Sequence, residues 1–225
     1  MTIRPPLLAA LVATVTAGAA ERDLEIQFVG DVTFVGRRVP KSGVPMEENP
    51  FRAVIARFAK ADLVVANGEG LIADAPTAEY GEARLNIAAA PIWAAAYGPA
   101  GVGLVGLANN HSWDGGAAGV LGNLAAYRAA GVAVYGAAES AEDAEAPYVL
   151  KGEGGRCRVA IVPATLKSNR PARKGAGVAY YPPGQGGLVA RVRALRADGC
   201  FVIVSVHWGR EGSHEASGAV VEAAR

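Results

Sequence analysis

The chain has 225 residues, 51% of them hydrophobic, with 22 basic against 21 acidic side chains and a formal net charge of +1. That is enough for one α/β domain, or one and a half ordinary ones, with a sizeable core. The balanced charge, without long like-charge runs, excludes nucleic acid or an anionic membrane surface as the main expected partner.

The N-terminus, MTIRPPLLAALVATVTAGAA, has a basic start at Arg4, an apolar stretch reaching Val15, and the small-x-small pattern Ala17-Gly18-Ala19. This predicts a signal peptide over residues 1–19, a mature domain over 20–225, and export to the periplasm or cell envelope. The apolar part falls short of the roughly 20 residues of a membrane span, so no stable span is expected.

Further along, apolar runs alternate with helical periodicity. LEIQFVGDV, from Leu24, reads as a strand ending at Gly30-Asp31. The segment from Asn49 reads as a helix capped by Asn49, with Phe51, Val54, Ile55 and Phe58 on one face. ADLVVANGEG is a second strand, ending at Asn67. PIWAAAYGPAG is a short helix, and GLVGLANN a third strand. GVLGNLAAYRAAG is a helix stopped by Gly131, followed by VAVYGAA as strand and turn. YVLKGEGGRCRVAIVPA reads as a hairpin turning at Gly154-Gly155. A Lys-, Arg-, Pro- and Gly-rich loop runs from Ser168 to Tyr181; then come the helix GGLVARVRALRADG, the strand CFVIVSVHWG, and SGAVVEAAR as the opening of another helix. Strands alternating with helices predict parallel βαβ units.

Four strand ends carry polar side chains of one kind: Gly30-Asp31, Asn67-Gly68-Glu69, Asn109-Asn110-His111, and His207-Trp208-Gly209. In α/β folds, ligands bind outside the carboxyl ends of parallel strands. Carboxylate, amide oxygen and imidazole together suit a hard or borderline divalent cation such as Mn²⁺, Fe²⁺ or Zn²⁺. Each cluster also has a plainer reading. Asp31, Asn67, Glu69, Asn109 and Asn110 are residue types that serve turns. Asp114 before Gly115 reads as a cap for the following helix, and His214 as a solvated side chain. Lys167, Arg170, Arg173 and Lys174 suit either a solvated loop or a face toward an anionic substrate. Cys157 and Cys200 each precede an apolar run. If those runs are neighbouring strands of the same direction, the thiols lie side by side and an oxidising compartment permits a disulfide; otherwise they are two buried thiols. They do not make a zinc site.

The order GDV…GR, DLVVANGEG, LANNHSWDGG and VSVHWGREG, spanning Leu24 to Glu211, resembles the CapA family of bacterial capsule or poly-γ-glutamate synthesis proteins. The resemblance implies a calcineurin-like metallophosphoesterase fold, a four-layer α/β/β/α sandwich, with two divalent metal ions in a complete member. It also implies roles. Asp31, Asn67, Glu69, Asn110 and His207 would be metal ligands, and His111 the general acid near the leaving group. Thr33 stands where the superfamily's Asp-x-His motif has histidine, and Asn67 with Glu69 replaces the Gly-Asp of its second motif. The later Gly-His-x-His segment is not found before Arg225, so the domain is expected to be incomplete at its C-terminus. Two functions follow from the resemblance. One is a metal-dependent hydrolase acting on a phosphoester or an anionic envelope polymer. The other is a non-catalytic accessory that binds such a polymer, or capsule synthesis and export proteins.

Overall fold

A computed structural model describes residues 11–15, 22–34, 44–72, 87–167, 176–181, 187–209 and 215–223. Its strands, in chain order, are β1 (Leu11–Val15), β2 (Leu24–Val32), β3 (Leu63–Gly68), β4 (Leu71–Ile72), β5 (Ala88–Ala89), β6 (Leu104–Gly106), β7 (Ala133–Tyr135), β8 (Ala137–Ala138), β9 (Tyr148–Lys151), β10 (Cys157–Thr165), β11 (Gly177–Val178) and β12 (Phe201–His207). The helices are α1 (Ile55–Phe58), α2 (Gly116–Ala129), α3 (Ala141–Ala144), α4 (Gly187–Ala197) and α5 (Gly218–Ala223).

The apolar runs pair as the alternation predicts. β2, β3, β6 and β7 form a parallel sheet in that order, with β1 added antiparallel along β2. A second sheet, ordered β12-β10-β9, pairs β10 with β12 in parallel and with β9 antiparallel. Two-stranded pieces, β4-β5 and β11-β8, and a parallel bridge between Thr165 and Tyr180 complete the pairing among the described residues. The result is a mixed α/β fold with parallel sheets and helices. Leu11–Val15, part of the expected leader, is β1, while residues 1–10 and 16–21 lie outside the described residues.

The two sheets face each other across one apolar layer. Ile26, Val65, Leu104 and Tyr135 from the first meet Val159 and Ile161 of β10. Burying such side chains fully is worth about 1.5–3 kcal/mol each. On the other side of the first sheet, α2 contributes Val120, Leu124 and Tyr127 to a larger core that includes Phe34, Phe51, Phe58, Trp93 and Tyr97. Phe34 stacks on Trp93 at 5.3 Å between ring centroids and meets Tyr97 edge-on at 5.5 Å. α4 packs on β10 and β12, and none of its side chains is buried.

Two helices expected from the sequence take other forms. After Asn49 the chain runs in single turns, and only α1, four residues long, is α-helical. Asn49 does not cap α1, whose N-cap is Val54; its side chain closes a turn by accepting from Phe51 N–H at 2.9 Å, and its amide donates to Ala96 O at 2.9 Å. That bond, with the aromatic packing of Phe51 and Phe58, fixes the segment from outside and overrides its periodicity. PIWAAAYGPAG folds as 3₁₀ turns over Pro91–Ala96 and Gly98–Ala100, and Pro99, which has no N–H to give, stands in the second of them. The helix ending before Gly131 and the hairpin turning at Gly154-Gly155 form where expected, each of these glycines at positive φ. In the basic loop, residues 168–175 lie outside the described residues, with Arg170, Arg173 and Lys174 among them; so does His214.

Cys157 and Cys200 sit at the N-terminal ends of neighbouring parallel strands and are joined by a disulfide, with Cα atoms 5.2 Å apart. Of the two readings of these cysteines, the bonded one holds.

Candidate functional site

β2, β3 and β6 run in parallel, so their carboxyl ends open on one edge of the first sheet. β12 of the second sheet delivers His207 to the same place. Register places Asp31 opposite Asn67. Gly30 is an extra residue in β2 between two ladder positions, Val29 opposite Ala66 and Asp31 opposite Asn67, so a bulge re-aims the aspartate. β6 ends at Gly106, three residues before the Asn109-Asn110-His111 turn.

The four clusters meet through side-chain hydrogen bonds. Asn67 Nδ2 donates to Asp31 Oδ1 at 2.7 Å and lies 3.2 Å from His207 Nδ1. His207 Nε2 lies 2.8 Å from Asn110 Oδ1. Asn109 Nδ2 donates to Asn67 Oδ1 at 3.1 Å and to the Gly68 carbonyl at 3.0 Å. Two carboxylates flank the imidazole: Asp31 Oδ1 is 3.7 Å from Nδ1, and Glu69 Oε1 is 3.8 Å from Nε2. Asp31 is half exposed, whereas His207 and Glu69 keep 16% of their side-chain surface. A cavity of about 190 Å³ adjoins the cluster, lined by Asp31, Asn67 and His207 together with Phe28, Pro163 and Val206.

His111 is tied to this network through its main-chain N–H, which donates to Asn109 Oδ1 at 3.1 Å, while its ring faces Asp114. Its Nδ1 is 2.6 Å from Asp114 Oδ2, with both side chains almost wholly buried, at 4% and 2% exposure. A neutral ring facing a carboxylate carries its proton on Nδ1, which puts the lone pair on Nε2. Asp114 was expected to cap α2. Instead Gly115 occupies the N-cap, without a side-chain bond, and the carboxylate turns back to the histidine three residues earlier. The turn closes with Asp114 N–H donating to the His111 carbonyl at 3.0 Å, which brings the carboxylate within reach.

All five expected ligands (Asp31, Asn67, Glu69, Asn110 and His207) are thus brought together, with His111 on the adjoining turn. Three residues matter beyond the expected set. Asp114 orients His111. Asn109, buried, ties the third cluster to the second. Asn123 of α2, also buried, accepts from Ile72 N–H at 2.5 Å and donates to the Gly70 carbonyl at 3.1 Å, holding the chain just past Glu69. The His-x-x-Asp spacing was the available signal for Asp114. Asn123 carries none, lying inside an ordinary helical pattern.

The donor chemistry fits a divalent cation. Carboxylates, an amide oxygen and an imidazole converge, a donor set of the kind such ions take. Among the described residues, no three His, Cys, Asp or Glu side chains group for metal binding, so amide oxygen is needed to complete the set.

Fold and site together define a mixed α/β protein with a polar cluster at the carboxyl ends of parallel strands. A family model described as bacterial capsule synthesis protein PGA_cap matches residues 25–225, and the chain belongs to that family. This is the CapA family indicated by the sequence motifs. Comparison with curated proteins finds no match.

Proposed function

We propose that this capsule-synthesis family member is an exported, metal-dependent hydrolase of the metallophosphoesterase type, with a calcineurin-like sandwich fold. Its substrate would be a phosphoester or an anionic envelope polymer such as poly-γ-glutamate. The observation that carries the reading is the convergence of four distant strand ends on one hydrogen-bonded cluster. Asp31, Glu69, Asn110 and His207 would hold the Mn²⁺, Fe²⁺ or Zn²⁺, and Asn67 stands among them as a fifth candidate. When bound, such an ion polarises the scissile group and lowers the pKa of a water. Asp114 holds His111 in one orientation and stabilises its protonated form, so that His111 can transfer a proton at Nε2 to a leaving group. The disulfide suits an oxidising compartment, which supports export.

One observation favours a second reading, an accessory that binds an anionic polymer or capsule synthesis and export partners. His111 and Asp114 keep only 4% and 2% of their side-chain surface, less than a proton donor to a bulky substrate ordinarily exposes. A single experiment separates the two. The chelator-treated chain from Ala20 onward is titrated calorimetrically with Mn²⁺ and with Zn²⁺, beside the Asp31→Ala/His207→Ala variant. Hydrolysis of a chromogenic phosphodiester is then compared with that of His111→Ala. The hydrolase reading expects one to two ions per chain, lost in the double variant, and turnover reduced about 10²–10⁴-fold in His111→Ala with the fold retained. Metal binding without turnover favours the accessory, and no binding by a folded chain refutes the metal site.

A further inference from the structure

The orientations of Asn109 and Asn67, and through them the tautomer of His207, follow outward from backbone groups. Asn109 Oδ1 faces three donors at Ser112 and His111: Ser112 N–H at 3.0 Å, His111 N–H at 3.1 Å, and Ser112 Oγ at 3.0 Å. Two of these are main-chain N–H groups, which only donate, so the atom facing them must be oxygen. The other end of Asn109 faces the Gly68 carbonyl, which only accepts, so it must be the NH₂. Asn109 is therefore fixed at both ends, and it is 2% exposed, so water offers it little alternative.

The constraint then propagates. The atom of Asn67 that meets Asn109 Nδ2 must be Oδ1, so the Asn67 NH₂ faces Asp31 and His207. A ring nitrogen facing an NH₂ is an acceptor, so His207 Nδ1 carries a lone pair. In the neutral ring Nε2 then carries the hydrogen, which matches its approach to Asn110 Oδ1 at 2.8 Å.

We infer that Asn109 is a positioning residue that, through Asn67, sets the hydrogen-bond polarity of the site. Asn67 serves as a donor to Asp31 and His207, and His207 is held as the Nε2–H tautomer. This goes beyond the hydrolase reading and does not require a metal or an activity. The energetic reason is the burial of Asn109. Reversing its amide would set NH₂ against two N–H groups and oxygen against a carbonyl, leaving buried polar groups unpaired.

The test reads the tautomers directly, by two-bond ¹⁵N–¹H correlation spectra of the chelator-treated chain, well above the pH at which imidazole titrates. The sequence holds three histidines, so His207→Gln and His111→Gln assign the two that matter. The wild type is expected to show His207 as Nε2–H and His111, facing Asp114, as Nδ1–H, an internal control of opposite sign. In Asn109→Asp the carboxylate still accepts from the two N–H groups but cannot donate to Asn67. Asn67 then turns its NH₂ toward residue 109 and its oxygen toward His207, while the half-exposed Asp31, no longer offered a donor, turns its carboxylate to water, and the His207 tautomer inverts to Nδ1–H. A merely structural role for Asn109 would leave that tautomer unchanged. If Asn109→Asp does not fold, Asn67→Asp at the partly exposed end makes the same test, since an acceptor there also requires Nδ1–H. Wild-type His207 as Nδ1–H or as an even mixture overturns the inference, as does an unchanged tautomer in whichever of these variants folds. Metal titration of the same samples reports on the hydrolase reading separately, so the two can fail independently.

Discussion

The disulfide gives the sharpest quantitative expectation, because it closes a long loop around a weakly anchored unit. Cys157 and Cys200 are 43 residues apart in sequence, and the chain between them makes β10, β11 and α4 before entering β12. On the chain-entropy model, a cross-link of that span removes about 13 cal/mol/K from the unfolded ensemble, or about 4 kcal/mol at 25 °C. Little else offsets its loss. α4 buries none of its side chains, and β12 has β10 as its only strand neighbour among the described residues. Reduction is therefore expected to lower the unfolding free energy by about 4 kcal/mol. It is also expected to raise the denaturant m-value, since the open unfolded chain exposes more surface. The assay is urea unfolding followed by far-ultraviolet circular dichroism, with and without reductant, beside the Cys157→Ala/Cys200→Ala variant in both conditions. Reductant should shift the wild type and leave the variant unmoved. A wild-type shift below about 1 kcal/mol would refute the reasoning, showing either that the bond does not form or that the unfolded chain is already constrained there.

Two further expectations concern the core beneath the site. Gly68 follows Asn67 in β3, and a Cβ there would lie 2.6 Å from both Tyr127 Oη and Val105 Cγ1, two buried side chains without room to retreat. Gly68→Ala is expected to cost about 1–3 kcal/mol by overpacking, measured as a lower midpoint in urea, and an unchanged midpoint would contradict this packing. Burial pushes the Tyr97 and Tyr135 phenols up to about 12, against about 10 in an unfolded chain. As pH rises the unfolded state loses these protons first. The stabilisation is thus complete below pH 10 and is lost between about pH 10 and 12, by roughly 1.4 kcal/mol per pH unit for each tyrosine. Absorbance at 295 nm should show these two phenols ionising only above the range of exposed tyrosines, and ionisation near 10 in folded protein would count against their burial.

The strand ends were legible because they are local signals: an apolar run that stops at Asp31, Asn67 or His207 shows both the strand and the polar residue it presents. The convergence of the ends of β2, β3 and β6 was legible too, since parallel crossovers bring carboxyl ends to one edge, whereas His207 arrives from a second sheet whose packing no local signal shows. Asn49 shows where local signals stop. A polar residue opening a turn there was readable, but no helix follows it directly: contacts to Ala96 and to the Tyr97 ring hold the segment in turns before α1. Asp114 shows a second limit. Capping and pairing with His111 are both open to an aspartate at that position, and the geometry of a single turn decides between them.

Asn109 marks the deepest of these limits, and it shows why a ligand set read from residue types is incomplete. An asparagine offers oxygen or nitrogen according to its neighbours, so its type alone does not say which. Asn67 was read as a ligand for its oxygen, yet that oxygen accepts from Asn109, 42 residues away, and its nitrogen faces Asp31 and His207. The deciding groups are the N–H groups of His111 and Ser112 and the carbonyl of Gly68, main-chain groups that residue type does not report. A cation taken up beside His207 Nδ1 would have to displace a hydrogen bond that the backbone holds in place through two amides. Removing the Asn67 donor with Asn67→Leu is therefore expected to strengthen Mn²⁺ binding in a calorimetric titration, and weakened binding would refute this by showing Asn67 to be itself a ligand.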